Sequence, residues 1–103
     1  MIYVVQLHTL RTRILILLDG LYPKRMDEVE ISHCVDIKWG DAAIRRELYY
    51  LAEKGLIATD RAEGERLHAA LTAKGRDFLT GDVEEVGLVS ASDLGYMRPS
   101  TFG

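Results

Sequence analysis

The strongest constraint on the fold is a helical period of apolar residues that is interrupted by glycines and then replaced by β structure. Apolar positions between residues 4 and 21 recur at spacings of three and four, which predicts an amphipathic helix over about residues 4–19 that stops at Gly20. Arg11 lies off this apolar stripe, so its side chain is expected to face solvent.

Two further helices are predicted after this one. Asp27 and Glu30 have the spacing of a capping pair, so a second helix is expected over about residues 28–35. Gly40 is expected to be the N-cap of a third helix over residues 41–54. The buried stripe of this third helix is predicted to consist of Ile44, Leu48 and Leu51.

The second half of the chain begins with a predicted β-hairpin. Residues 56–60 and 66–71 are the candidate strands, and a glycine lies in the loop between them. Thr72 is expected to cap a short fourth helix that ends near Gly81. Residues 82–103 have no sustained period, and we expect coil from Ser90 onward that orders only against a partner.

Length and composition indicate one globular domain. The 103 residues are 48% hydrophobic and 28% charged, enough for a single modest core. We assign residues 1–81 to the folded domain and residues 82–103 to a C-terminal extension. No apolar run could span a bilayer, the start does not resemble a signal peptide, and one cysteine suits a reducing compartment. A cytoplasmic protein is therefore expected, with Cys34 as a small core residue.

Neither an active site nor a metal centre is predicted. His8, His33, Cys34 and His68 are possible ligands, but no C-x-x-C or H-x-x-x-H spacing occurs. Since His33 and Cys34 are adjacent on a helix, their side chains diverge by about 100° and share one ion poorly. The chain also has no nucleophile motif and no glycine-rich phosphate loop. We therefore expect a non-enzyme that needs no cofactor.

Two segments resemble the winged helix-turn-helix superfamily of DNA-binding proteins. "AAIRRELYYLAEKGLI" is similar to the recognition-helix segment of winged-helix regulators, and "ALTAKGRDFLTG" to the segment that follows the wing. The resemblance covers residues 7–81. It implies a mainly α fold with a small β-hairpin (α+β): a three-helix core, a wing and a fourth helix. A protein of this size with Arg-Pro-Ser in its tail also resembles uncharacterised proteins of Mu-like prophages.

This resemblance implies sequence-specific binding of double-stranded DNA by a transcriptional regulator of phage or prophage type. The helix of residues 41–54 would enter the major groove, and the wing, residues 61–66, would lie on the DNA backbone. With its apolar stripe in the core, the helix directs Arg45, Arg46 and Tyr49 outward. The neighbouring Tyr50 is expected to pack against the first helix or the hairpin. The implied DNA-contacting residues are Lys38, Asp41, Ala42, Arg45, Arg46, Tyr49, Arg61 and Arg66.

The net charge of −3 favours an alternative, because DNA-binding domains usually carry a basic surplus. In that alternative the chain is a winged-helix module for protein–protein assembly, and the arginines are a solvated face. A homodimer is expected in addition, built from the first helix and the segment after Gly81. The apolar "MIYVV" start and the Val83–Val89 stretch exceed what a three-helix core can cover. The sequence does not identify a small-molecule effector.

Overall fold

The computed structural model describes residues 2–35, 39–61 and 64–97, with side chains from Val5 onward. Over these ranges the chain is an α+β domain, so the prediction of a mainly α fold with a small hairpin is confirmed. Its elements are α1 (Ile2–Asp19), β1 (Met26–Asp27), α2 (Glu28–Val35), α3 (Gly40–Glu53), β2 (Ile57–Asp60), β3 (His68–Leu71), α4 (Ala73–Thr80) and a 3-10 helix (Ala91–Leu94).

The sheet has three antiparallel strands in the order β1-β3-β2. The predicted hairpin pairs β2 with β3, from Ile57 opposite Leu71 to Asp60 opposite His68. Strand β1 was not predicted, because two residues are too few to show an alternating pattern. It joins the other side of β3, with Met26 opposite Ala69.

The core lies between the helices and one face of the sheet. Helix α1 packs on α2, β3 and α4, whereas α3 packs on α2 and β2. The stripe predicted for α3 is confirmed, since Ile44, Leu48 and Leu51 are completely buried. Other large apolar side chains that are fully enclosed include Ile14, Leu15, Leu18, Ile31 and Leu56.

Side chains cap two of the helices as predicted. Asp27 Oδ1 accepts the backbone N–H groups of Val29 and Glu30, both at 2.9 Å, at the start of α2. The Glu30 N–H is the main cause that lowers the pKa of Asp27. Thr72 Oγ1 accepts the Gly75 N–H at 3.1 Å at the start of α4. A methyl group on Gly75 would lie 2.3 Å from the Leu56 carbonyl oxygen, so only glycine allows α4 to pack this closely.

Two side-chain placements expected from the helical period are wrong. Cys34 is exposed rather than in the core, because it lies on the outer side of α2 while Ile31 fills the inner side. The Arg11 side chain is only 11% exposed, since its charge is neutralised by Glu47, which lies 2.6 Å away on α3.

The C-terminal segment, residues 82–97, packs on α1. Arg11 Nη1 donates to the Gly87 carbonyl at 2.9 Å, and Thr12 Oγ1 donates to the Val89 carbonyl at 2.5 Å. The Tyr96 hydroxyl donates to Asp19 at the end of α1. The expectation of coil from Ser90 that orders only against a partner is therefore wrong for residues 90–97. The remainder of that tail lies outside the described residues.

Membrane insertion through a helix finds no support in the described part of the chain. None of its helices combines the length and the hydropathy that crossing a bilayer requires.

The pKa of Tyr96 makes the attachment of the C-terminal segment testable. Burial and the hydrogen bond to Asp19 raise this pKa from 10.0 to about 12. The folded state therefore favours the protonated phenol, and this stabilisation is present below pH 10.0 and lost as the pH rises towards 12. We expect the free energy of unfolding of the parent to fall over that interval more than that of Tyr96→Phe. Urea unfolding at stepped pH measures both.

Tyr49→Phe is the matched control, because Tyr49 is an exposed tyrosine on α3. It should keep the alkaline loss of the parent. Identical pH profiles for the parent and Tyr96→Phe would show that the Tyr96 hydroxyl does not hold the segment.

Candidate nucleic-acid interface

The surface of α3 that points away from the core is the candidate site. Its five members are exposed or partly exposed, and they line one shallow depression together with Tyr50. We call this surface the α3 outer face and define it as Ala42, Arg45, Arg46, Tyr49 and Glu53.

Arg46 and Tyr49 are the most available groups on the α3 outer face. Arg46 is exposed, and no hydrogen bond or ion pair joins it to another residue within the described ranges. Tyr49, one turn further on, is 43% exposed. An arginine offers two parallel donors to guanine O6 and N7 or to a phosphate, and a tyrosine hydroxyl can serve phosphate oxygens as well.

Arg45 differs from Arg46 because its inner edge is already bound. Its Nε donates to Glu28 Oε1 at 2.7 Å, and its Nη2 lies at the same distance from the same oxygen. The Arg45 side chain is nevertheless 42% exposed, whereas that of Glu28 is only 2% exposed. The arginine thus spans from a buried carboxylate to the surface of α3.

Glu28 itself is held from the hairpin. Its Oε2 accepts the Leu67 N–H at 2.5 Å, and its backbone N–H donates to the Leu67 carbonyl at 2.8 Å. Leu67 directly precedes β3, so one carboxylate connects the start of α2, the outer face of α3 and the hairpin. Both carboxylate oxygens have charged or N–H partners, as a buried anion requires.

The N-terminus of α3 is fixed by a polar contact with α2. The Ser32 hydroxyl donates to Asp41 Oδ1 at 3.0 Å, and Ser32 is buried. Helix α3 begins at Gly40, one residue earlier than predicted, and Trp39 before it is half-buried with no side-chain cap. Lys38, which was predicted to contact DNA, lies outside the described residues.

The two predicted wing arginines are exposed at the ends of the hairpin loop. Arg61 Nε donates to the Glu65 carbonyl at 2.7 Å, which closes the loop. Arg66 Nη1 lies 3.6 Å from Asp27 Oδ2, and its side chain is 62% exposed. Such an exposed pair is weak, so Arg66 is free to exchange this partner for another anion. Residues 62 and 63 of the same loop lie outside the described residues.

A second buried ion pair joins α3 to α1. The Arg11 guanidinium pairs with Glu47 and stacks on the Tyr50 ring, 3.8 Å from its centre. The Tyr50 hydroxyl donates to the Val86 carbonyl at 3.3 Å. Tyr50 therefore packs against α1, which was one of the two predicted alternatives. Its neighbour Tyr49 is left at the surface.

The burial of both glutamates could have been predicted from the helical period. Glu28 precedes the buried Ile31 by three positions, and Glu47 follows the buried Ile44 by three. Residues at this spacing share one helix face, so the period places both carboxylates towards the core. A carboxylate on a buried stripe requires a cation partner, and an arginine on another helix is the natural candidate.

Comparisons with family models, with curated proteins and with solved structures found no match for this chain. No group of three or more His, Cys, Asp or Glu side chains in the described ranges is arranged to hold a metal ion.

The different surroundings of the two adjacent arginines predict different effects on stability. Arg45→Ala leaves the buried Glu28 carboxylate without its cation, which should cost about 1–3 kcal/mol of unfolding free energy. Because Arg45 is partly exposed, the effect is smaller than for a fully enclosed pair. Arg46→Ala removes no contact and should change stability by at most about 0.5 kcal/mol. Urea unfolding of both variants at neutral pH measures the difference.

Glu28→Gln in the Arg45→Ala background provides the control, since it removes the unpaired charge. That double variant should regain part of the lost stability. Equal stability of the two single variants would mean that the Arg45–Glu28 contact contributes nothing to folding.

Proposed function

We propose that this protein binds double-stranded DNA through the α3 outer face. The proposal is supported chiefly by Arg46, an exposed arginine that lacks a partner in the described ranges, on a helix whose opposite side is buried. The element order of three helices, a hairpin and a fourth helix resembles that of a winged-helix domain. In that comparison α3 stands in the place of the recognition helix, and the loop between β2 and β3 stands in the place of the wing.

The proposed complex follows from how such helices dock. The N-terminal half of α3 enters the major groove, where Arg46 and Tyr49 reach base edges and phosphates. Ala42 lies one turn before Arg46 and leaves space for the groove wall. Arg61 and Arg66 lie on the backbone beside the groove. Asp41 stays with Ser32 and positions the start of α3.

The charge distribution limits how this complex gains its affinity. A protein with a net charge of −3 attracts the phosphate backbone weakly, so binding must rest on the few cations at the interface. Two of these cations, Arg45 and Arg66, already lie near a carboxylate. We therefore propose a modest salt dependence and a large share of direct base contacts.

Sequence-specific binding of this kind supports a role as a transcriptional regulator of phage or prophage type. A small cytoplasmic protein would then act on DNA near its own gene. The proposal involves no catalysis, no cofactor and no membrane.

The DNA proposal is tested by a salt titration with the duplex that flanks the native gene. The parent should bind that duplex, and its affinity should fall as salt rises because counterions are released. Arg46→Ala should weaken binding about tenfold or more and reduce the salt slope by about one if the lost contact is to phosphate. Fluorescence anisotropy over a range of potassium chloride concentrations measures both quantities.

Arg13→Ala is the matched control, because Arg13 is exposed on α1 and outside the α3 outer face. It should leave affinity and slope near those of the parent. If the folded parent does not bind any duplex at low salt, the DNA proposal is wrong.

A second candidate function, protein–protein assembly, is favoured by one other surface. A groove of about 650 Å³ runs between α4 and the C-terminal segment and is lined in part by Phe78 and Leu88. Val86 and Met97 near it are 84% and 85% exposed. An apolar groove with such side chains beside it is where a docked protein would bury the most apolar surface. This function would take precedence if the salt titration failed.

We also propose that the protein forms a homodimer, as expected from the sequence. The apolar Val83–Val89 stretch supports a dimer less than the sequence suggested, because Leu88 packs against the core of its own chain. Val5 on α1 and Val86 on the C-terminal segment remain 60% and 84% exposed. Sedimentation at micromolar concentration should give a dimer mass, and Val5→Asp with Val86→Asp should reduce it to a monomer mass.

Ala73→Asp is the control for that experiment, since Ala73 is exposed at the first position of α4 and an acidic residue is tolerated there. It should sediment like the parent. A monomer mass for the parent would exclude the dimer at that concentration.

A further inference from the structure

We propose that Glu28 is a positioning residue that holds Arg45 to read a guanine in the major groove. This inference rests on the DNA binding proposed above and concerns the same face of α3. It assigns to a buried side chain on α2 the control of base specificity by a side chain on α3.

The guanidinium of Arg45 keeps one edge free for a ligand. Arginine has five N–H donors in one plane, and here Nε and Nη2 both point to Glu28 Oε1 at 2.7 Å. The donors that remain are the two on Nη1 and the second on Nη2. Neighbouring hydrogens of Nη1 and Nη2 form a two-donor edge on the side away from Glu28. Guanine presents two acceptors, O6 and N7, at the spacing that such an edge matches.

The Glu28 carboxylate is itself held in place by its surroundings. Glu28 is 2% exposed, and the Leu67 N–H fixes its other oxygen at 2.5 Å. Its position on α2 is set by the Asp27 cap directly before it. A side chain held from an anchored partner loses less conformational freedom on binding than a free one. Arg45 is therefore preorganised, whereas Arg46 must be ordered by the DNA itself.

The positive charge of Arg45 is compensated within the protein. Because Glu28 neutralises Arg45, the pair adds little to the general attraction for phosphates. What the outer edge still offers is directional hydrogen bonding to a base. The pair is thus suited to discriminating between bases rather than to tightening binding to every sequence.

The test is selection of bound duplexes from a random-sequence pool by the full-length protein. The parent should enrich a motif that contains a guanine contacted by Arg45. Glu28→Gln keeps an acceptor for the Leu67 N–H but removes the charge that holds the arginine. Arg45→Lys keeps the positive charge and loses the two-donor edge. Both variants should lower the preference for that one guanine about tenfold or more and retain the other positions.

Glu47→Gln is the matched control, because Glu47 is a buried glutamate on α3 paired with a different arginine. It changes the net charge equally and should keep the guanine. Thermal unfolding of each variant verifies the fold. Glu28→Asp keeps the charge but shortens the side chain that holds Arg45, and it carries the test if Glu28→Gln does not fold.

The outcomes separate this inference from the proposed function. If the parent binds no duplex, both are wrong. If the parent binds duplexes but both variants keep the guanine, or if the enriched motif holds no guanine that depends on Arg45, DNA binding stands and the positioning role is wrong. If Arg45→Lys loses the guanine while a folded Glu28→Gln keeps it, Arg45 reads the base without help from Glu28, which also overturns the inference.

Discussion

The relative placement of α2, α3 and the hairpin depends on one buried carboxylate. Glu28 accepts from Arg45 on α3 and from the Leu67 N–H before β3, and its own N–H returns a bond to the Leu67 carbonyl. Removing an anion from water is costly, and only a full set of charged and N–H partners offsets that cost. Because the set is drawn from three elements, a shift of α3 or of the hairpin would remove one partner of the carboxylate. The distance between α3 and the hairpin is fixed in this way.

The other side of α3 depends on a second arginine–glutamate pair of the same chemistry. Arg11 is nearly enclosed, since Glu47, the Tyr50 ring and the Gly87 carbonyl surround its guanidinium. Gly87 has φ +93°, and a Cβ there would lie 2.2 Å from the Tyr50 hydroxyl. A side chain at this position would therefore be strained and would displace the contact. The C-terminal segment is consequently held against α1 and α3 at Gly87.

The parts of the fold that follow from local chemistry were predictable from the sequence. The Asp27 and Thr72 caps mark the starts of α2 and α4, because a side-chain oxygen at each satisfies free N–H groups of the first turn. The apolar period placed Ile44 and its neighbours in the core.

What the sequence did not reveal depends on contacts between distant residues. Arg11 and Glu47 are separated by 36 positions, and Glu28 and Leu67 by 39. Because Arg11 lies off the apolar stripe of α1, the helical period alone predicts that its side chain faces solvent. The period does not show that the Glu47 carboxylate lies beside it. The exposure of Arg46 and Tyr49 agrees with the helical period, but the difference between Arg45 and Arg46 arises only from the partner that α2 supplies.

These two pairs determine how much of the charge of the chain acts at its surface. Arg11 and Glu47 contribute no field at the surface, since both are enclosed and neutralise each other. Arg45 and Glu28 also cancel at a distance, but Arg45 keeps hydrogen-bond donors within reach of a ligand. Counting charges treats both arginines as equal to Arg46, although of these three arginines only Arg46 has no carboxylate partner within the described residues. The net charge therefore describes the long-range attraction of this protein for DNA and not its capacity for directional contacts, on which sequence discrimination depends.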